Sequence, residues 1–217
     1  MFETEIEKLK NKERFDIEDL RDIIRILRSE NGCPWDREQT HESIIPGFIE
    51  ETYEVVEAIE EKNSDMLCEE LGDVLLQIVF HCQIEEERGA MSFNDAVSGV
   101  CRKMIVRHPH VFGDVTADTS DEVLRNWDKI KAETKHQESL AERLESIAKP
   151  MPALMRTQKV IHKSKKEGIS FGSSYLDGNE SVAGKALFDA VAKCEEYGLD
   201  AETVLRHYCD AVINSLK

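Results

Sequence analysis

The segment that most constrains this chain is residues 66–88. At about 100° per residue, Leu67, Leu71, Val74, Leu75, Leu76, Ile78, Val79, Phe80 and Cys82 spread over most of a helix's circumference. A helix apolar nearly all round is expected to be buried. One narrow stripe departs from this pattern. Glu70, Asp73, Gln77 and His81 follow one another at spacings of three or four, so they share one line along the helix. Carboxylates carried into an interior cost several kcal/mol each unless they are paired or bind a metal. The stripe therefore calls for a cation, and the surrounding chain must supply other helices to cover the rest.

The remaining sequence supplies them. Only five of the 217 residues are proline, and 33% are charged, a mixture in which helix formers meet few breakers. Residues 1–14 read as a short charged helix or arm. Residues 16–29 form an amphipathic helix through Ile17, Leu20, Ile23, Ile24 and Leu27, stopped by Asn31-Gly32-Cys33-Pro34. Residues 35–40 read as a loop or short turn. Helices follow over 41–61, with a kink expected near Pro46-Gly47, over 66–88 after a turn capped from Asn63-Ser64-Asp65, over 92–107, and over 120–136, with Ser120 as its cap. The fold class is all-α, an antiparallel bundle with a smaller C-terminal helical segment. Residues 1–136 are expected to form the main domain, 137–152 a linker and 153–217 the smaller segment. The one stretch with any strand-like alternation is 168–171.

The helix over 41–61 carries a second acidic set, Glu50-Glu51-Thr52-Tyr53-Glu54. Its apolar side reads as Ile45, Phe48, Ile49, Thr52, Val55, Val56 and Ile59. Two antiparallel helices joined by a short turn would bring Glu51 and Glu54 to face Glu70 and Asp73. Four convergent carboxylates form a hard oxygen cage suited to Mg²⁺, with Mn²⁺ as a substitute. A carboxylate-bridged di-iron site fits less well, because it wants Glu-x-x-His, and the third residues after Glu51 and Glu70 are Glu54 and Asp73.

Charge narrows the partners. With a net charge of −16 the chain is a poor non-specific binder of nucleic acid or of an anionic membrane, and neither is expected as a partner. A phosphate ligand would need a divalent cation and a local basic patch to offset repulsion. Lys103 and Arg107, four apart on one helix face, are candidates for that patch. The chain has two tryptophans, Trp35 and Trp127. Six scattered cysteines without a Cys-x-x-Cys pair read as reduced thiols. No signal peptide and no membrane span are read, so the expected location is cytoplasmic.

Glu-Glu-x-x-Glu followed by Glu-x-x-Asp resembles the signature of the all-α nucleoside triphosphate pyrophosphohydrolases. With Gly32-Cys33-Pro34-Trp35-Asp36, Arg107-His108-Pro109-His110-Val111-Phe112, Asn126-Trp127-Asp128-Lys129-Ile130-Lys131 and Pro152-Ala153-Leu154-Met155-Arg156, the chain resembles the MazG family in particular, over roughly residues 16–172. The resemblance implies Mg²⁺-dependent cleavage of nucleoside triphosphates between the α and β phosphates, by a homodimer or larger homo-oligomer. It makes Glu51, Glu54, Glu70 and Asp73 the metal ligands and Glu50 a candidate for activating the attacking water. It makes Lys103 and Arg107 phosphate contacts and places Trp127 near the nucleotide, with Lys131, Trp35 and His41 further substrate candidates. Narrower relatives, a dUTP/dCTP pyrophosphatase or a phosphoribosyl-ATP pyrophosphohydrolase, are the enzyme alternatives, and a non-catalytic nucleotide-sensing helical protein is the alternative of another class.

An internal comparison adds one expectation. Residues 71–79 align with residues 183–191, but Val182 stands where Glu70 would be and Lys185 where Asp73 would be. A lysine cannot coordinate Mg²⁺ and repels it. Residues 153–217 therefore read as a shortened second copy without a site.

Overall fold

The computed structural model describes residues 2–135, 139–169, 171 and 177–216, and these form helices and connecting turns with no strand among them. The chain divides into two compact units, Met1–Val106 and Arg107–Lys217.

In the first unit, α1 (Glu3–Lys10) precedes α2 (Ile17–Arg28). Asp16 caps α2 by accepting the amides of Glu18 and Asp19, and Asp19 returns the bond to the Asp16 amide at 2.7 Å. Asp19 is also held by the Lys12 ammonium. The turn after α2 closes tightly. The Cys33 amide donates to the Leu27 carbonyl at 2.7 Å, and a Cβ on Gly32 would lie 2.2 Å from the carbonyl oxygens of Ile26 and Leu27. Only glycine passes there. The stretch expected as a loop holds a five-residue helix, α3 (Pro34–Glu38), with Pro34 at its first position, where the missing N–H costs nothing.

Next comes an antiparallel pair, α4 (His41–Glu60) and α5 (Ser64–Glu87). Thr40 and Ser43 cap α4 reciprocally, and Pro46 lies inside it. Lys62, at φ 55°, turns the chain between the two helices while the Asn63 amide bonds back to the Ala58 carbonyl at 3.0 Å. Asn63 then caps α5, its side chain accepting from the Met66 amide at 3.1 Å. Gly89 (φ 68°) ends α5, and α6 (Phe93–Arg107) follows.

The core of this unit packs Ile24 of α2, Ile44 of α4, Val79, Phe80, Cys82 and Ile84 of α5 and Phe93 of α6. Arg28 braces it. Its guanidinium grips Glu87 through Nε and Nη2 at 2.9 Å each, donates to the carbonyls of Asp36 and Gln39, and lies 5.0 Å from the Phe80 ring centroid. Glu86 accepts from both Arg21 and the Phe93 amide, tying α2, α5 and the start of α6 together.

Two expectations need correction. Residues 66–88 do not form a buried helix. Only the second half of α5 is in the core, while Leu71, Leu75 and Ile78 are 51%, 38% and 38% exposed. The reason is a shortage of neighbours, since α5 packs on α4 and α2. The apolar side assigned to α4 also faces outward in part. Ile45, Ile49 and Ile59 are exposed, whereas Ile44 and Ala58 are buried.

In the second unit, α7 (Pro109–Phe112) comes first, and α8 (Ser120–Lys135) follows. The cap of α8 is Thr119 rather than Ser120. Thr119 Oγ1 accepts the Glu122 amide, and Glu122 accepts the Asp118 and Thr119 amides. Within the expected linker, residues 137 and 138 lie outside the described residues. The rest contains α9 (Leu140–Glu145), with Ile147 buried after it. The unit is completed by α10 (Ala153–Lys166), α11 (Gly178–Glu196) and α12 (Ala201–Ser215) around Ile161, Val191 and Ala201, where Phe171 meets Phe188 edge to face. Residue 168, where strand-like alternation was noted, is a glycine at φ 69° just past α10. No helix among the described residues is long and apolar enough to cross a membrane. All six cysteines are free thiols.

Candidate active site

The stripe Glu70, Asp73, Gln77 and His81 is the face that α5 turns toward α4, so it is polar because it lies in a seam. At one end, His41 Nδ1 meets His81 Nδ1 at 2.7 Å and His41 Nε2 meets Glu85 Oε1 at 2.8 Å. The carboxylate accepts, so Nε2 of His41 carries a proton. Burial, and then the charge of His41, hold the His81 imidazole below its ordinary pKa. Phe48 leans on the His81 ring at 5.6 Å. In the middle, Gly47 lets the Gln77 amide come close, since a Cβ there would stand 3.2 Å from Gln77 Nε2.

At the far end, Glu51 of α4 meets Glu70 and Asp73 of α5. One carboxylate oxygen from each lies within 4.8 Å of the other two, and each residue is half-buried. Glu54, one turn along α4, lies beside them and shares a hydrogen bond with Glu51. The Glu51 carboxyl is pushed above its ordinary range, first by burial, then by that bond and by the charges of Asp73, Glu54 and Glu70. Glu70 is raised too, by burial and then by Glu54, Glu69, Asp73 and Glu57. Mutually repelling carboxylates in one place are what a hard divalent cation neutralises, and an all-oxygen donor set suits such an ion. The residues present therefore fit a divalent metal.

The other candidates fall in different settings. Glu50 is exposed on α4, next to the cluster in sequence. Lys103 is exposed on α6. Arg107 is buried, and its guanidinium lies 5.1 Å from the Trp127 ring centroid, while His108 approaches that ring edge-on at 5.1 Å. Trp127 thus stacks on a cation of its own unit. Trp35 is 65% exposed on α3. His41 is engaged with His81 and Glu85 and holds the seam. Lys131 lines a cleft of the second unit. Glu85, the anchor of the histidine pair, was not singled out from the sequence, although its place four residues after His81 was a usable signal. Lys185, read from the sequence as standing where Asp73 would be, is tied to Asp189 at 2.5 Å.

Convergent acids on an antiparallel helix pair define an all-helical protein with a candidate divalent-metal site. Comparison with known proteins makes the class specific. Residues 39–112 match the MazG nucleotide pyrophosphohydrolase domain, a span that contains His41, all five acids, Lys103 and Arg107. The chain is 47% identical over 145 residues to a nucleoside triphosphate pyrophosphohydrolase of Escherichia coli (strain K12), covering 66% of this chain and 55% of that protein. It is 46% identical over 154 residues to the nucleoside triphosphate pyrophosphohydrolase/pyrophosphatase MazG of Thermotoga maritima, covering 71% and 58%. An uncharacterized 26.1 kDa protein of Streptomyces cacaoi is 34% identical over 190 residues, covering 86% and 76%. The chain belongs to the MazG nucleotide pyrophosphohydrolase family. It spans little more than half the length of the two pyrophosphohydrolases.

Proposed function

We propose that this chain hydrolyses nucleoside triphosphates, ribo or deoxy, to the monophosphate and diphosphate with Mg²⁺, Mn²⁺ serving as a substitute. The observation that carries this reading is the cluster of Glu51, Glu70 and Asp73 within 4.8 Å, inside the span that matches the family. These three and Glu54 would hold the metal. When bound, the ion would neutralise phosphate oxygens and acidify a coordinated water. The protein's part is to bring water, α-phosphorus and charge into line. Water oxygen bonds to the α-phosphorus, the bond from that phosphorus to the bridging oxygen breaks, and diphosphate leaves. A carboxylate of the cluster, with Glu50 the candidate, takes the water's proton. Lys103 meets the phosphates. Arg107, Trp127 and Lys131 serve the nucleotide. Trp35 is open enough to cover a base, whereas His41 positions α4 against α5.

The exposed apolar residues of this pair, Ile45, Ile49, Leu71, Leu75 and Ile78, support a homodimer or larger homo-oligomer that covers them. Residues 1–136 form the catalytic part in this reading, and 153–217 a shortened copy in which Val182 and Lys185 have removed the site. A thiol-rich chain without disulfides suits the cytoplasm.

The test is diphosphate release from a panel of NTPs and dNTPs with Mg²⁺, comparing wild type with Glu54→Gln and Asp73→Asn. Release should fall by about 10²-fold or more in each variant. Equal rates in all three proteins would remove the carboxylate site from the reaction. Hydrolysis confined to dUTP and dCTP, or to phosphoribosyl-ATP, would replace the broad substrate class.

A further inference from the structure

The second unit holds a cleft of which the hydrolytic reading uses only Lys131. Between α8, α9 and α10 lies a cleft of about 330 Å³. Five cations line it, namely Lys129 and Lys131 of α8, Arg143 of α9, and Lys163 and Lys166 of α10, against only two carboxylates, Asp128 and Glu167. In a chain of net charge −16 this is a local reversal of sign. Its concave walls lower the local dielectric and focus the positive field.

The ion pairs of Lys166 and Arg143 are weak enough to yield. Lys166 meets Asp128 at 2.7 Å, but both side chains are more than half exposed, a setting in which ion pairs contribute little. Arg143 spends one nitrogen on Glu167 at 2.6 Å and retains other donors of its fork. Lys163 donates to the Arg143 carbonyl at 2.6 Å, which tilts its ammonium along the α9 wall. His162, also in the lining, is anchored through Nδ1 to Glu195 at 2.6 Å. Cations from three helices therefore converge on a volume that suits a short chain of phosphates and is too confined for a duplex.

We infer that the α8–α10 cleft is a polyphosphate-binding site, built wholly from residues of the second unit and needing no metal. Its ligand class is a compact multivalent anion, inorganic or nucleoside polyphosphate. The inference stands apart from the carboxylate cluster, because none of those acids lines the cleft.

The experiment titrates full-length protein with inorganic tripolyphosphate in EDTA, by calorimetry, at low and at moderate salt. Wild type should bind, with affinity falling as salt rises. Lys163→Gln/Lys166→Gln should bind about tenfold or more weakly, while Lys163→Arg/Lys166→Arg should bind like wild type. Glu70→Gln/Asp73→Asn should also bind like wild type, although its hydrolysis with Mg²⁺ is lost. This variant separates failure of the cleft from failure of the hydrolytic site. Thermal melting of each variant checks that it is folded. Wild type that fails to bind, or a glutamine variant that binds unchanged, overturns the inference. So does binding of an oligothymidylate as tight as that of tripolyphosphate, which would point to single-stranded nucleic acid instead.

Discussion

Arg28 offers a sharp test of how the first unit is held. Replacing it with Met keeps the apolar stem and removes the guanidinium. The side chain is 5% exposed and Glu87 is 38% exposed, so one partner is buried and the other is half in water. Removing a buried partner from such a pair costs about 3–5 kcal/mol when the remaining charge is fully buried. Glu87 can rehydrate, which favours the lower end of that range. The carbonyls of Asp36 and Gln39 also lose their donor, and the cation beside Phe80 disappears, adding about 1 kcal/mol together after solvent takes up the carbonyls. The net expectation is about 4 kcal/mol of lost stability for Arg28→Met. Urea denaturation followed by circular dichroism, with Glu87→Gln and the double variant completing a cycle, measures it. The pair should show a coupling of at least about 1 kcal/mol. A loss below about 0.5 kcal/mol, with no coupling, would mean that the grip on Glu87 does not brace the core.

Glu51 and Glu70 have raised pKa values, so their contribution to metal-free stability is present below the ordinary carboxylate value of 4.5 and is lost as pH rises through their folded values. Metal-free wild type should therefore lose more stability between pH 4.5 and neutrality than Glu51→Gln/Glu70→Gln, and Mg²⁺ should raise the neutral-pH melting temperature of wild type alone. Identical pH profiles and no Mg²⁺ shift would contradict the cluster's assignment. Gly32→Ala puts a Cβ against two carbonyl oxygens of its own turn, so it should cost at least about 2 kcal/mol in the same urea assay, more than the loss of a helix cap. A neutral Gly32→Ala would mean that the turn after α2 opens freely.

How much of this was legible in the sequence depended on whether the signal was local. Periodicity and caps marked the long helices to within a turn, since Asn63 and Gly89 act within a few residues of themselves. The stripe on α5 was also visible, as Glu70, Asp73, Gln77 and His81 fall in line whatever surrounds them. Its reason was misread. Apolar residues nearly all round a helix report what the chain wants covered, and they do not say whether its own neighbours suffice. In this chain α4 and α2 do not cover Leu71, Leu75 and Ile78. The same limit explains α4, where Ile44 and Ala58 went inside and Ile45, Ile49 and Ile59 did not. Gly47 and the Arg107–Trp127 stack depend on contacts between distant residues, and spacing alone does not encode those, whereas Glu85 continues the stripe four residues past His81.

The seam between α4 and α5 carries one more consequence. Its contacts are spaced like the marks of a vernier, histidine on histidine, glycine under glutamine, then acid on acid. A helix is stiff along its length, so the azimuth of α5 at Asp73 is inherited from the clamp at His81, about 12 Å farther along at 1.5 Å per residue. The opening offered to a cation can thus be tuned from residues that never touch one. Exchanging the small residue at Gly47 or the amide at Gln77 would shift the acids together while leaving every carboxylate in place.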